Sequence, residues 1–166
     1  MPYKVKTEGL DDVSKLLQSL GDQAQGIASR GLYEGAGVMA KEITSSVNSI
    51  QTAPFKYASR GAVRLPSPEE KDVIASAGHV GIAKFRKTGG EVDTSVGYGR
   101  AGYAELKGKT VPIAKIANSI NSGTSFMQMQ PFFRKAVTTG RRKALKAITD
   151  TINQEIEQLQ SGGNSQ

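Results

Sequence analysis

His79 is the only histidine in the chain, and neither an acid nor a hydroxyl stands near it at a spacing that acid–base or nucleophilic catalysis would use. Its reading is therefore structural or superficial. With no cysteine, disulfides, thiolate chemistry and cysteine-based zinc sites are excluded. The acidic pairs Asp11/Asp12 and Glu69/Glu70 suit a helix start and a loop, and the Ser and Thr residues have no nucleophile-elbow setting. Gly97, Gly99 and Gly102 spell G-x-G-x-x-G, yet they lead into the strand-like YAELK, so no helix N-terminus faces a phosphate and a β-turn is expected instead. These residues predict a protein that is not an enzyme, with no catalytic residue, no cofactor and no metal site.

Phe132 and Phe133 beside Arg134 could serve as base-stacking platforms. Helical spacing instead assigns Phe133 to the core and leaves Phe132 to cover the Gly123–Thr124 turn. Charge offers a second candidate surface. Residues 1–83 carry nine Lys plus Arg against nine Asp plus Glu, while residues 84–166 carry thirteen against six, so the net charge of +7 arises in the second half. Its densest part is Arg134, Lys135, Arg141, Arg142, Lys143 and Lys146, which at helical spacing is expected to spread over more than one side of a helix. A solvated face is the simplest reading; nucleic acid and an acidic protein surface are the alternatives.

The elements that position these residues follow from periodicity. A length of 166 residues fits one domain, read here as residues 1–160 with a disordered tail at 161–166. No apolar run reaches the ~20 residues of a membrane span. Leu10, Val13, Leu17, Leu20, Ala24 and Ile27, then Met39, Ile43, Val47 and Ile50, advance by threes and fours, predicting an amphipathic helix broken near Gly21. Gly31, Gly35 and Gly37 within it suggest a neighbour packed close against bare backbone. Periodicity lapses over 51–72, where Pro54, Pro66 and Pro68 predict a long loop or arm. Residues 80–85 and 91–98 flank Lys87–Gly90 as a hairpin, with Val92, Thr94, Val96 and Tyr98 on one face and Tyr103–Lys107 as a third strand. A helix is expected over 110–122 with Thr110 as N-cap and Gly123 as stop. Another begins at Pro131, with Phe133, Val137, Ala144, Ile148, Ile152, Ile156 and Leu159 as its apolar stripe. The fold class is α+β, with the long N-terminal helix and the C-terminal helix packed on a small antiparallel sheet.

Ile116, Ala117, Ile120, Asn121, Gly123, Thr124, Pro131, Phe132, Phe133, Arg134 and Ala136 together form an ordered motif: a short apolar helix, a Gly-Thr turn and a Pro-Phe-Phe-Arg helix entry. It resembles the C-terminal signature of siphophage tail-component proteins, the lambda-type minor tail protein Z and its relatives. Asn121 and Ser122 replace the usual acidic and aromatic pair, and Gln130 replaces the usual Arg. The Gly9–Asp12 opening and the run Gly81–Tyr98 add to the likeness. The resemblance implies a non-enzymatic virion protein of the neck or head-proximal tail end, made in the host cytoplasm. Such proteins complete the tail and enable head–tail joining. Its partners would be itself, in a ring and by tail symmetry a hexamer, together with tail-tube, tail-terminator or head-connector proteins. Non-specific contact with passing DNA is left open, and no membrane is involved. The loop 51–72 and the sheet edge are the expected contacts. The rival reading is a small basic nucleic-acid-binding protein.

Overall fold

The computed structural model describes residues 22–54, 62–76, 80–88, 91–99 and 102–163. The expected helix over Leu10–Gly21, the opening Gly9–Asp12, residues 55–61 of the expected arm, His79 and the hairpin-turn residues Gly89 and Gly90 lie outside them. Two long helices dominate. Helix α1 (Asp22–Val47) and helix α4 (Phe132–Gly163) run antiparallel, as ion pairs at their two ends show: Arg30 meets Glu155 and Lys143 meets Glu42, both at 2.6 Å. Between them in sequence come α2 (Pro68–Ala75), β1 (Val80–Ile82), β2 (Arg86–Thr88), β3 (Glu91–Asp93), β4 (Val96–Tyr98), β5 (Tyr103–Leu106), β6 (Lys109–Pro112) and α3 (Ile113–Ser122). The architecture is α+β, with all strand pairs antiparallel.

The glycines explain how closely α1 and α4 approach. A Cβ on Gly35 would lie 2.5 Å from Cγ1 of Ile148 and 3.2 Å from the carbonyl oxygen of Ala144, and one on Gly140 would lie 2.9 Å from Sδ of Met39. Interiors packed this tightly leave no room for another methyl group. Gly37 has nothing within 4 Å of that position, so the packing reason expected for it does not hold. The inward face of α4 runs through Phe132, Ala136, Gly140 and Ala144. Val137, expected in that stripe, is 50% exposed because it lies off this four-residue row.

The first hairpin departs from a simple ladder. Val80 to Ile82 pair with Tyr98 to Val96, and Arg86 to Thr88 pair with Asp93 to Glu91. Ala83 N–H donates to the Ser95 carbonyl at 2.8 Å, continuing the first register. Lys84 and Phe85 therefore oppose Thr94 alone, a β-bulge whose extra residue resets which side chains face inward. Val92, Thr94, Val96 and Tyr98 do share the partly buried face, as expected.

Four other expectations need correction. Tyr103–Leu106 does not join the first hairpin; it pairs with Lys109–Pro112 across a turn in which Lys107 and Gly108 both have positive φ. That pairing draws Thr110 into a strand, so α3 starts at Ile113 with Pro112 as N-cap and no side-chain cap bond. The expected arm over 51–72 ends early, because Ser67 begins α2: its hydroxyl accepts from Glu70 N–H and the Glu70 carboxylate accepts from Ser67 N–H, a capping box with Pro68 in the first turn. The tail expected to be disordered from Ser161 continues α4 to Gly163.

One core unites these pieces. Ile43, Val47, Ile50, Ile74, Ile113, Ile116, Ile120, Met127 and Phe132 are buried together, with Val80, Val96, Tyr98 and Leu106 packed against them. Beyond the end of α1, Lys71 Nζ donates to the carbonyls of Asn48 and Ile50, each at 2.9 Å. A cation there satisfies orphan acceptors at the negative end of the helix dipole.

Candidate assembly site at the junction of α3 and α4

The apolar spacing of Ile113, Ile116, Ala117 and Ile120 buries one side of α3 and delivers its C-terminus to the start of α4. Gly123 ends the helix as expected, at φ 73°, a conformation that L side chains rarely adopt. A Cβ there would also come within 3.1 Å of Met129. Thr124 and Met127 then close a tight turn, Thr124 N–H donating to Met127 O at 2.9 Å and Met127 N–H to Thr124 O at 3.3 Å. Met127 points into the core.

Hydrogen bonds from the arm, from α3 and from the start of α4 converge on this region. Arg64 N–H donates to Phe126 O and Gln128 N–H to Arg64 O, both at 2.9 Å, so the arm pairs in parallel with the turn. Gln130 N–H donates to the Ile120 carbonyl at 2.8 Å. Its side-chain amide accepts from Gln51 N–H at 3.2 Å and donates to Gln51 O at 3.1 Å. Asn121 Oδ1 accepts the N–H of Phe133 at 3.1 Å, supplying one of the orphan donors that open α4. Of the three residues that depart from the resembled signature, Asn121 and Gln130 are thus both used as hydrogen-bonding partners of the backbone.

The core position expected of Phe133 belongs to Phe132. Phe132 is 2% exposed and belongs to the core, while Phe133 is only partly buried against it. The rings stack at a centroid distance of 4.7 Å, and each meets the Tyr98 ring edge-on, at 6.4 and 5.9 Å. Tyr98 O–H donates to the Ile74 carbonyl at 2.8 Å, and burial pushes its pKa up to about 12. Tyr98 therefore binds the hairpin to α2 and to the motif at once.

Within the described part of the arm, Arg64 and Glu70 form an ion pair that periodicity does not signal. Arg64 donates from Nη1 and Nη2 to both Glu70 oxygens, at 2.7 and 2.6 Å, with both side chains largely buried. Burial pushes the Glu70 carboxyl up, but the Arg64 hydrogen bonds, the Ser67 N–H and the charges of Arg64 and Lys107 outweigh it and hold the group below the ordinary carboxylate range. The S-x-x-E spacing of Ser67 and Glu70 was the available signal.

Of the candidate site residues, Phe132 lies in the core, Gly123, Thr124 and Phe133 are partly buried at the junction, and Pro131 and Arg134 are exposed. Lys135, Arg141, Arg142, Lys143 and Lys146 are exposed along α4. Lys143 is committed to Glu42. At 100° per residue all six cations span about 200°, and without Lys143 the other four and Arg134 fall in an outward arc of about 140° opposite Gly140. Arg134 belongs to both the motif and the row of cations, while the other members of the two sets lie apart. Outside the junction, Val63, Phe126 and Met129 are exposed by 58%, 51% and 59%, and the first two adjoin across the bridge between Arg64 and Met127. The segments that carry them are held by the backbone hydrogen bonds of Arg64, Gln128 and Gln130, and we call these three exposed apolar side chains the crown.

Among the described residues no group of three or more His, Cys, Asp or Glu could hold a metal ion, and no described helix is long and apolar enough to cross a membrane. Gly102 leads directly into β5, so the G-x-G-x-x-G run precedes a strand. No family model matches the chain, and no curated protein or solved structure matches it either.

Proposed function

We propose that this protein is a non-enzymatic structural subunit of a siphophage virion, placed at the neck or head-proximal end of the tail. There it completes the tail and enables head–tail joining by assembling as a ring, sixfold to match the tail tube. The resemblance of the 116–136 motif to tail-component proteins suggests the class. The observation that carries the assembly reading is the crown of Val63, Phe126 and Met129 on a junction whose backbone is fixed by the arm, α3 and α4. Exposed apolar side chains on a rigid support mark an interaction surface better than the same side chains on a mobile loop, because less ordering entropy is lost on association.

Among the described residues the strands pair only two by two, so their outer edges could offer main-chain hydrogen bonds to a neighbouring subunit. The expected contact surface over 51–72 thereby narrows to the part near Val63 that pairs with the turn. Electron microscopy of lysates from a phage lacking this gene tests the reading. DNA-filled heads and separate tails of normal length are expected. Normal yields of joined, infectious virions would remove the assignment, and an absence of filled heads would move it to the capsid or to packaging.

A further inference from the structure

From Phe132 to Thr149 helix α4 contains six cations and no acid. A face that serves only solubility interleaves both signs. Arg134, Lys135, Arg141, Arg142 and Lys146 are all exposed, and no carboxylate lies within ion-pair distance of any of them among the described residues. The neighbouring helix neutralises Lys143 alone, through Glu42. Helical geometry sets the Arg134/Lys135 pair about 10 Å along the axis from the Arg141/Arg142 pair, with Lys146 about 7 Å further. The row is thus about 18 Å long, over which one strand of duplex DNA presents about five phosphates. Thr138 and Thr149 stand at the middle of the arc, and their shortness lets the longer cations reach past them.

We propose that the outer face of α4 binds the phosphate backbone of double-stranded DNA through these five residues, without reading base sequence. An acidic protein surface is the competing partner, and two features disfavour it. The only exposed apolar side chain within the arc is Leu145, with Val137 at its rim, which does not build the buried apolar centre that protein interfaces have. Nor does any acid on this face provide the mixed charge pattern that fixes register between proteins. The proposal stands on charge geometry alone and survives a failure of the assembly reading.

Fluorescence anisotropy of the full chain with a random 30-base-pair duplex is the test, over ~50 to ~200 mM salt. Five phosphate contacts give a logarithmic salt slope of about −4.5, hence a loss of roughly 500-fold in affinity across that range, and a dissociation constant between about 1 and 100 µM at physiological salt. Changing Arg134, Lys135, Arg141, Arg142 and Lys146 to Gln should abolish binding while circular dichroism stays helical. The smaller variant Arg141→Gln/Arg142→Gln should fall to a slope of about −2.7. Removing five exposed charges elsewhere (Lys41, Lys84, Lys87, Lys109 and Lys115, each to Gln) should leave the slope unchanged. Arg134→Lys/Arg141→Lys/Arg142→Lys should also keep it, since phosphate accepts a point charge whereas paired carboxylates favour the guanidinium fork. The proposal is overturned if the two five-charge variants lose affinity equally. It is equally overturned if poly-glutamate binds this face more tightly than the duplex at the same salt.

Discussion

Along α4, the stretch from Gly140 to Glu155 meets α1 through a notch of small residues, while the stretch from Phe132 to Ala136 is held at the junction by stacked rings and individually placed hydrogen bonds. The first contact repeats with the helix turn, so losing one element leaves its neighbours in place. The second is a set of single bonds between distant parts of the chain, each with no substitute. Damage should therefore spread differently from the two contacts. A defect in the notch should loosen one helix pair, whereas a defect at the junction should release the arm, α2 and the first hairpin together.

The largest effect is expected at the junction's ring cluster. Phe132→Ala should destabilise the protein by about 3–5 kcal/mol, the usual cost of emptying a buried aromatic site, and Phe133→Ala by roughly half as much because its ring is only partly buried. Thermal melts of both variants check the order. If Phe133→Ala proved the more damaging, the assignment of Phe132 to the core would be reversed.

Next in size is the arm. Arg64→Ala strands a largely buried carboxylate and should cost roughly 3 kcal/mol, with increased protease cleavage within 51–67 as its local signature. The pH dependence follows from Glu70, whose folded pKa is depressed by Arg64 and Ser67. The stability it contributes is fully present above the ordinary carboxylate range and is lost as pH falls through the folded value. Glu70→Gln should therefore melt lower than wild type at pH 7, with the gap closing on acidification. A gap that stayed constant down to pH 2 would mean that the ion pair is not what holds the arm.

The notch should give a smaller response. Gly35→Ala gains about 1 kcal/mol of helix propensity, yet the new methyl overlaps Ile148 and crowds the Ala144 carbonyl, so a net loss of about 1–2 kcal/mol is expected. Gly37→Ala has open space around it and should be stabilising. Denaturant midpoints of the pair separate close approach from mere helix weakness.

What could be read in the sequence divides along the same line. The long helices, the Gly123 stop, the Pro131 entry and the half-buried face of Val92 to Tyr98 follow from local periodicity and local backbone preference. The glycine notch was also signalled, since Gly31 and Gly35 lie four apart, one helical turn. The bulge at Lys84–Phe85 was not legible, because it exists only in the pairing of two strands. Asn121 capping Phe133, and Gln130 pairing with Gln51, depend on residues 12 and 79 positions apart, and nothing local marks either. The capping box at Ser67–Glu70 was legible, but the surrounding prolines argued for a loop and outweighed it. The spread of the cations follows from helical spacing, whereas its outward orientation required knowing which face of α4 meets α1.

Sedimentation velocity of the full chain over a range of micromolar concentrations tests most directly whether the junction's interior is scaffold and its crown the assembly surface. The wild type should form a discrete closed oligomer. Phe126→Ser/Met129→Ser should sediment as a 17.6 kDa monomer with an unchanged melting temperature. A wild type that stays monomeric at every concentration, or a variant that assembles as the wild type does, would contradict the account.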